Sequence, residues 1–413
     1  MVVKKNILVL VESPAKARTL SRFLGSGYTL KATQGHLRDL PKSKLGVDVE
    51  NDFSPQYVTP RKKSKILTDL KKSAKNADML YLATDPDREG EAIAWHISEI
   101  PVFKSLPHRR VVFHEITEEA ISKAFKSPRQ INIDLVNAQQ ARRILDRLVG
   151  YNLSPLLWRK VRRGLSAGRV QSVAVRIIVD REREVEKFNA DEYWILEAEL
   201  QKKERDASPS FRAQLVGLVG KGKLEIKNAE EAAMVESQLN EAAFSVLKVK
   251  EKKTSRRPSP PFITSTLQQE SWRRLRMSAK KTMVIAQQLY EGLPVGTEGT
   301  VGLITYMRTD STRVSRKAIT DVREFIESKY GKEYLPTHAH TYGQKVKGAQ
   351  EAHEAIRPTG IMRLPAVIKK YLSAEQFKVY QLIWEKMIAS QMALATFNNT
   401  TIDVEARHLS SKA

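Results

Sequence analysis

The sequence predicts a multidomain protein of mixed α/β and α+β class, and three observations predict it. The first ~130 residues alternate short apolar runs with helical stretches, the signature of an open α/β sheet. Residues 132–187 turn helix-rich and basic, whereas 190–252 alternate with the period of strands (Trp194–Leu200, Phe244–Val249). Helical periodicity returns at about 264 and runs to 392, before a strand-like end at Thr400–Val404. A chain of 413 residues has room for two to four domains at ~100–200 residues each.

Taken in order, Ile7–Val11 is a continuous apolar run, as expected of a buried parallel strand. Ser13 is placed to cap a following helix, with Pro14 in its first position and Gly25 just past its end. Met79–Ala83 reads as a second strand leading into Asp85-Pro-Asp-Arg-Glu-Gly-Glu91 and a helix over Ala92–Ile100. Val111–Phe113 reads as a third, followed by His114-Glu115-Ile116 and a helix capped by Thr117. In such sheets ligands bind beyond the carboxyl ends of the strands, where this sequence places Glu12, Asp85 and Asp87. Lys250–Pro261, charged and proline-rich, reads as a linker. No internal repeat is evident.

The charge is unusual for so ordinary a composition. Seventy Lys and Arg against 47 Asp and Glu leave +23, while 41% hydrophobic and 28% charged residues fit a folded globular chain. An excess of that size points to a polyanionic partner, nucleic acid first. Nine Lys or Arg and a single acid, Asp146, lie between Arg142 and Arg176, a net of +8. The absence of cysteine excludes disulfides, cysteine-held zinc, iron–sulfur clusters and thiol nucleophiles from these residues. Ile7–Val11 is too short for the apolar core of a signal peptide, and no run approaches the ~20 residues of a membrane span. The expectation is a soluble, intracellular protein facing nucleic acid.

Four carboxylates within seven residues (Asp85, Asp87, Glu89, Glu91) suit hard Mg²⁺. They equally suit an ordinary helix N-terminus, where the macrodipole favours acids. Glu12 and Lys16 flank a helix start able to hold a phosphate oxygen, although a Glu–Lys pair at that spacing is commonly a surface pair. No Gly-x-x-x-x-Gly-Lys-Ser/Thr loop occurs, which argues against a P-loop nucleotide hydrolase. Gly302–Ser311 sets Tyr306 beside Arg308, Thr309 and Ser311, with Arg313 following. A phenol needs nearby positive charge or a base to become a nucleophile, and Arg308 can also stabilise a phosphoryl transition state. Ala352–Thr359 adds His353, Glu354 and Arg357.

Together these segments resemble a known family. Val11–Lys16, Thr84–Ala92 and Phe113–Thr117 are similar to the Toprim domain of type IA DNA topoisomerases, in their bacterial form. Gln139–Arg143, Gly164–Ser172, Pro260–Thr266, Gly302–Ser311 and Ala352–Thr359 follow in the family's order, eight segments in all.

The resemblance implies a toroid. It comprises a Toprim domain (1–131), a basic helical base domain (132–188), the first part of a β-rich arch (189–258), a helical domain with the nucleophile (259–392) and a return into the arch (393–413). It implies that Tyr306 attacks single-stranded DNA to form a 5′-phosphotyrosyl link, allowing strand passage and religation that relax negative supercoils without ATP. Arg308 and Lys16 would face the scissile phosphate, His353 would organise it, and Glu12, Asp85, Asp87 and Glu89 would surround Mg²⁺. His36, Arg142, Arg143, Asp146, Tyr151, Arg169, Gln171, Asp310 and Arg313 would hold the strand, Tyr151 by stacking on a base. The implied protein is a monomer of the bacterial cytoplasm, at the nucleoid, with no membrane and no nucleotide cofactor. The resemblance also implies a core fragment without the family's later residues or zinc ribbons, so a fragment that binds or cleaves DNA without relaxing it is the alternative. A Toprim nuclease or primase would share Glu12, Asp85 and Asp87 but leaves the Tyr306 segment unexplained.

Overall fold

A computed structural model describes residues 6–203, 209–343 and 354–408. It begins with Ile7–Val11 (β1), Pro14–Phe23 (α1), Tyr28–Ala32 (β2), Ser64–Lys75 (α2), Met79–Leu82 (β3), Arg88–Ser98 (α3), His108–Arg110 (β4) and Glu118–Lys126 (α4). The four strands form one parallel sheet in the order β2-β1-β3-β4, each joined to the next by a helical crossover as parallel pairing requires. β1 is apolar throughout because both of its faces are covered. Leu8 and Leu10 enter one core with Leu80, Leu82, Ile93 and Ile97, while Val9 and Val11 enter another with Leu20, Phe113 and Ile116.

Three local expectations shift. The third predicted strand lies at His108–Arg110, ahead of Val111–Phe113. Its polar residues hide it from an apolar scan, although Val111 N–H still donates to Leu82 O at 3.0 Å. The helix expected from Ala92 starts at Arg88, because Asp87 accepts from Gly90 N–H as its cap and Glu89 and Glu91 occupy its first turn. The third shift, at the expected linker, emerges from the pairing described below.

Arg110 is fully buried, and each nitrogen of its guanidinium donates to a partner. Nε bonds Glu91 Oε2 at 2.9 Å, Nη1 reaches the carbonyls of Leu82, Thr84 and Val111, and Nη2 reaches that of Asp85. Glu91, 1% exposed, also accepts from Arg129 and from the backbone of Asn132. The cluster ties the end of β3, the start of α3 and the approach to the next helix into one rigid corner.

That next helix, Ile133–Lys160 (α5), is capped by Asn132 and packs along α3. Arg169–Glu186 (α6), Glu197–Leu200 (β5), Phe211–Gln214 (β6), Ala229–Asn240 (α7) and Ala242–Arg256 (β7) follow. Thr264–Leu275 (α8), Ala279–Glu291 (α9), Arg316–Tyr330 (α10) and Ala374–Ser390 (α11) come next, and Ala395–His408 (β8) is last. The chain divides into two compact units, one of residues up to 171 with 257–394, the other of 172–256 with the residues from 395. In the first, Leu289, Leu303, Ile304, Phe325, Ile383 and Trp384 join the same core as Val9 and Val11. In the second, β5 pairs with β6, and β7 pairs antiparallel with β8 from Ala242↔His408 to Arg256↔Ala395. Residues 250–256 of the expected linker are thus strand. Their lysines read as a connector, yet a two-stranded ribbon exposed on its faces tolerates charge. Among the described residues, no helix is long and apolar enough to cross a membrane.

Burial would raise the Glu91 carboxyl, but hydrogen bonds from Arg129 and Asn132 and the charges of Arg110 and Arg129 hold it below its ordinary 4.5. Its stabilising effect is therefore complete above the unfolded value and is lost as pH falls through the folded one. Glu91→Gln leaves Arg110 buried without its counter-charge and should cost about 3 kcal/mol at pH 7. Urea unfolding should show that deficit shrinking below pH 4.5; a deficit constant with pH would contradict the account.

Candidate active site

β1 and β3 are hydrogen-bonded neighbours, with Leu10 opposite Leu82. Glu12 and the Thr84–Asp87 loop therefore leave the same edge of the sheet side by side. The Asp85 N–H donates to a Glu12 carboxylate oxygen. Ser13 caps α1 by accepting from Lys16 N–H, which sets Lys16 in the first turn, facing inward. Its Nζ lies 2.8 Å from Asp85 Oδ1 and 3.1 Å from Glu12 Oε2, with the side chain 1% exposed. The ammonium also sits over the Phe113 ring, 4.9 Å from its centre. Burial alone would lower the Lys16 pKa, but the two carboxylates reverse this and raise it. Glu12 is pushed up to about 7, by burial and then by the charge of Asp85, against the pull of Lys16.

Asp87 serves two partners. Oδ1 caps α3 at Gly90 N–H, 2.8 Å away, and Oδ2 accepts the Tyr306 hydroxyl at 2.6 Å. A Cβ at Gly90 would lie 2.2 Å from Asp85 O, so only glycine lets the loop close this tightly. Arg308 Nη1 stands 3.7 Å from the same Asp87 oxygen, its side chain more than half exposed.

Tyr306 reaches this loop on an extended segment pinned from both sides. Gly302 N–H donates to Ile116 O and Tyr306 N–H to His114 O at 2.8 Å, while Thr305 N–H donates to Arg357 O and Thr359 N–H to Leu303 O. Gly302 passes so close that a Cβ would sit 2.7 Å from Tyr290 O. Arg357, nearly buried, bonds Glu115 at 2.9 Å and Glu354 at 2.7 Å, fastening the two flanking segments. The Tyr306 ring is 2% exposed and meets the Tyr290 ring edge-on at 5.2 Å. Burial first, then the charges of Asp85 and Asp87 and the bond to Asp87, push the phenol's pKa well up, against Arg308. The hydroxyl is thus a neutral donor here, already seated on a carboxylate able to take its proton.

Residues 7–116 match the Toprim domain, and residues 130–413 match the DNA topoisomerase family. The chain belongs to the type IA DNA topoisomerases. The full-length topoisomerase I of Thermotoga maritima, solved in a monoclinic crystal form, is 40% identical and superposes with a TM-score of 0.80. The match covers 97% of this chain and 66% of that one, so the chain spans less than two thirds of that relative's length.

Of the residues expected at the site, the structure gathers Glu12, Lys16, Asp85, Asp87, Tyr306 and Arg308. Glu89 turns aside: it accepts from Gln139 at 3.1 Å and faces His36 at 3.5 Å, bonds that lower its pKa. His353 lies outside the described residues. On α5, Arg143 forks onto Asp39, and Asp146 pairs with Arg169 across 2.6 Å. Tyr151 donates to Lys42 O and lies under the Arg147 guanidinium, beside Trp158 in a cavity of about 600 Å³. Gln171 bonds Ser166, and Asp310 and Arg313 are exposed.

Among the described residues no three acidic or histidine side chains stand together as a ready metal cage. Lys16 fills the space between Glu12 and Asp85. Mg²⁺ is commonly held by one or two carboxylates with waters and a substrate phosphate, and Asp85 and Asp87, two apart on one loop, fit that donor chemistry. The sequence reading missed Arg110, the second role of Asp87 as a cap, and the Glu115–Arg357 fastening. Of these Arg110 alone had no signal, since Asp87, Glu115 and Arg357 lie in segments already singled out.

Because Glu12 titrates near 7 when folded and near 4.5 when not, the folded state binds its proton more tightly. Stability is therefore lost as pH rises between those values. Glu12→Gln should match the parent at pH 4 and exceed it by about 1–3 kcal/mol at pH 8, read by thermal or urea unfolding. A variant less stable at pH 8 would refute the assignment.

Proposed function

We propose that this chain cleaves and rejoins a single DNA strand through Tyr306, relaxing negatively supercoiled DNA without ATP. The observation that carries the reading is the Tyr306 hydroxyl at 2.6 Å from Asp87, with Arg308 beside it. Asp87 accepts the phenol's proton as its oxygen bonds to phosphorus. The bond from phosphorus to the 3′ oxygen breaks, and Lys16 hands that oxygen a proton, leaving a 5′-phosphotyrosyl link and a 3′-hydroxyl. Arg308 stabilises the charge gathered on the phosphate. Religation runs the same transfers backwards, and the covalent link conserves the bond, so nucleotide hydrolysis is not needed. Asp85 and Asp87, with Glu12 nearby, would hold Mg²⁺, which when bound supplies positive charge beside the phosphate. His353 would help order the phosphate, and His36, Arg142, Arg143, Asp146, Tyr151, Arg169, Gln171, Asp310 and Arg313 would hold the strand. The net +8 from Arg142 to Arg176 supports a single-stranded substrate held through its phosphates. The reading is of a monomer acting at the nucleoid in the cytoplasm.

Relaxation of negatively supercoiled plasmid with Mg²⁺ tests the whole activity, and a denaturing gel after mixing with single-stranded DNA tests the covalent step. Tyr306→Phe removes only the attacking oxygen. The covalent band should vanish while strand binding stays within about twofold of the parent. A persisting adduct would sink the assignment.

Binding should also weaken steeply with salt, by a slope of roughly −0.7 per phosphate neutralised on single strands. Anisotropy from low to moderate salt checks this, and a flat response would contradict the phosphate contacts.

A further inference from the structure

Tyr290, in the last turn of α9, is fully buried, and its hydroxyl has no hydrogen-bond partner among the described residues. Buried polar atoms are almost always paired, and this one lies among the reacting groups. Its ring meets that of Tyr306 edge-on at 5.2 Å, and Lys16 Nζ stands 6.0 Å from its centre. Main-chain acceptors on either side of Tyr290 hold it there. Leu303 N–H donates to Leu289 O at 2.7 Å, and Thr19 Oγ1, on the same helix as Lys16, donates to Glu291 O at 2.7 Å. Burial, then the charges of Asp85, Glu12 and Asp87, push the phenol's pKa well up, so the hydroxyl keeps its proton and stays a donor.

A donor without an acceptor thus stands beside acceptors that are about to lose their donor. In the free protein the Lys16 ammonium serves Asp85 and Glu12 together. When the bond from phosphorus to the 3′ oxygen breaks, Lys16 turns to that oxygen, and two buried carboxyl groups are left without the cation they share. Leaving them so is costly. Of the two rings beside the ammonium, Phe113 has nothing to donate and Tyr290 has a hydroxyl. That hydroxyl is sealed from solvent, so its partner comes from within the protein and not from the strand. We propose that Tyr290 is a positioning residue for strand cleavage, its hydroxyl donating to the Glu12–Asp85 pair as Lys16 turns to the leaving oxygen. It gives up no proton and touches no substrate. The role rests on the reading that Lys16 protonates the 3′ oxygen.

Tyr290→Phe keeps the ring and removes only the hydroxyl. A hydroxyl that is merely unpaired gives a variant at least as stable as the parent and equally fast. The positioning role predicts equal or higher stability in urea and affinity for a short single-stranded oligonucleotide within about twofold of the parent. At saturating oligonucleotide the covalent complex should form roughly threefold to thirtyfold more slowly. Ser271→Ala removes another buried hydroxyl without a partner, from α8, and should leave that rate alone. The leaving group gives the sharper readout. With sulfur replacing the bridging 3′ oxygen at the mapped cleavage position, departure needs no general acid and Lys16 keeps its carboxylates. The deficit of Tyr290→Phe should then shrink below about twofold. An unchanged rate in Tyr290→Phe, an equal slowing in Ser271→Ala, or a deficit alike on oxygen and sulfur would overturn the positioning role alone. A parent that forms no covalent complex on either substrate would instead remove the functional reading, and the role of Tyr290 with it.

Discussion

A buried guanidinium holds the candidate site in place. Arg110 stands at the end of β4 and donates to the carbonyls of Leu82, Thr84 and Asp85, which are the backbone leading into the acidic loop. A parallel sheet leaves the carbonyls just past its carboxyl edge, here those of Thr84 and Asp85, without a strand to pair with, and burying them unpaired would be costly. Arg110 satisfies them, Glu91 neutralises Arg110, and Glu91 is itself the first-turn acid of α3. The directions of Asp85 and Asp87 are therefore set by an ion cluster that need never touch substrate.

Against that fixed loop the Tyr306 segment is delivered by main-chain bonds. Because Tyr306 N–H bonds His114 O and Gly302 N–H bonds Ile116 O, the segment behaves almost as an added strand beside the 113–116 stretch that follows β4. The arrangement gathers three carboxyl groups (Glu12, Asp85 and Asp87), an ammonium, a phenol and a guanidinium into little space. Its electrostatics are consistent: the buried Lys16 gains from both carboxylates, while Glu12 and Tyr306 shift towards their protonated forms. A site so arranged holds its protons ready to move, at some expense to stability, as reactive centres commonly do.

The basic stretch is organised by the same rule of partial pairing. Arg143 and Arg169 are engaged by Asp39 and Asp146, whereas Arg142 makes no ion pair among the described residues.

Much of this was legible in the sequence. The apolar β1, the cap at Ser13, the Thr117 cap and the strand ends bearing Glu12 and Asp85 follow from local pattern and from residues that allow few conformations. The resemblance to type IA topoisomerases marked Tyr306, Glu12, Lys16, Asp85, Asp87 and Arg308, which the structure brings together. What sequence alone could not decide depends on contacts between distant residues. The short strand at His108–Arg110 looks polar because its arginine faces backbone carbonyls, and a charge buried for that purpose has no one-dimensional signature. Residues 250–256 became strand only by pairing with 395–401, about 145 positions away. Glu89 was counted with the metal cluster by proximity in sequence, but the turn of α3 points it to His36 and Gln139. Tertiary structure alone made Asp87 both helix cap and partner of Tyr306, since its two oxygens serve groups more than two hundred residues apart.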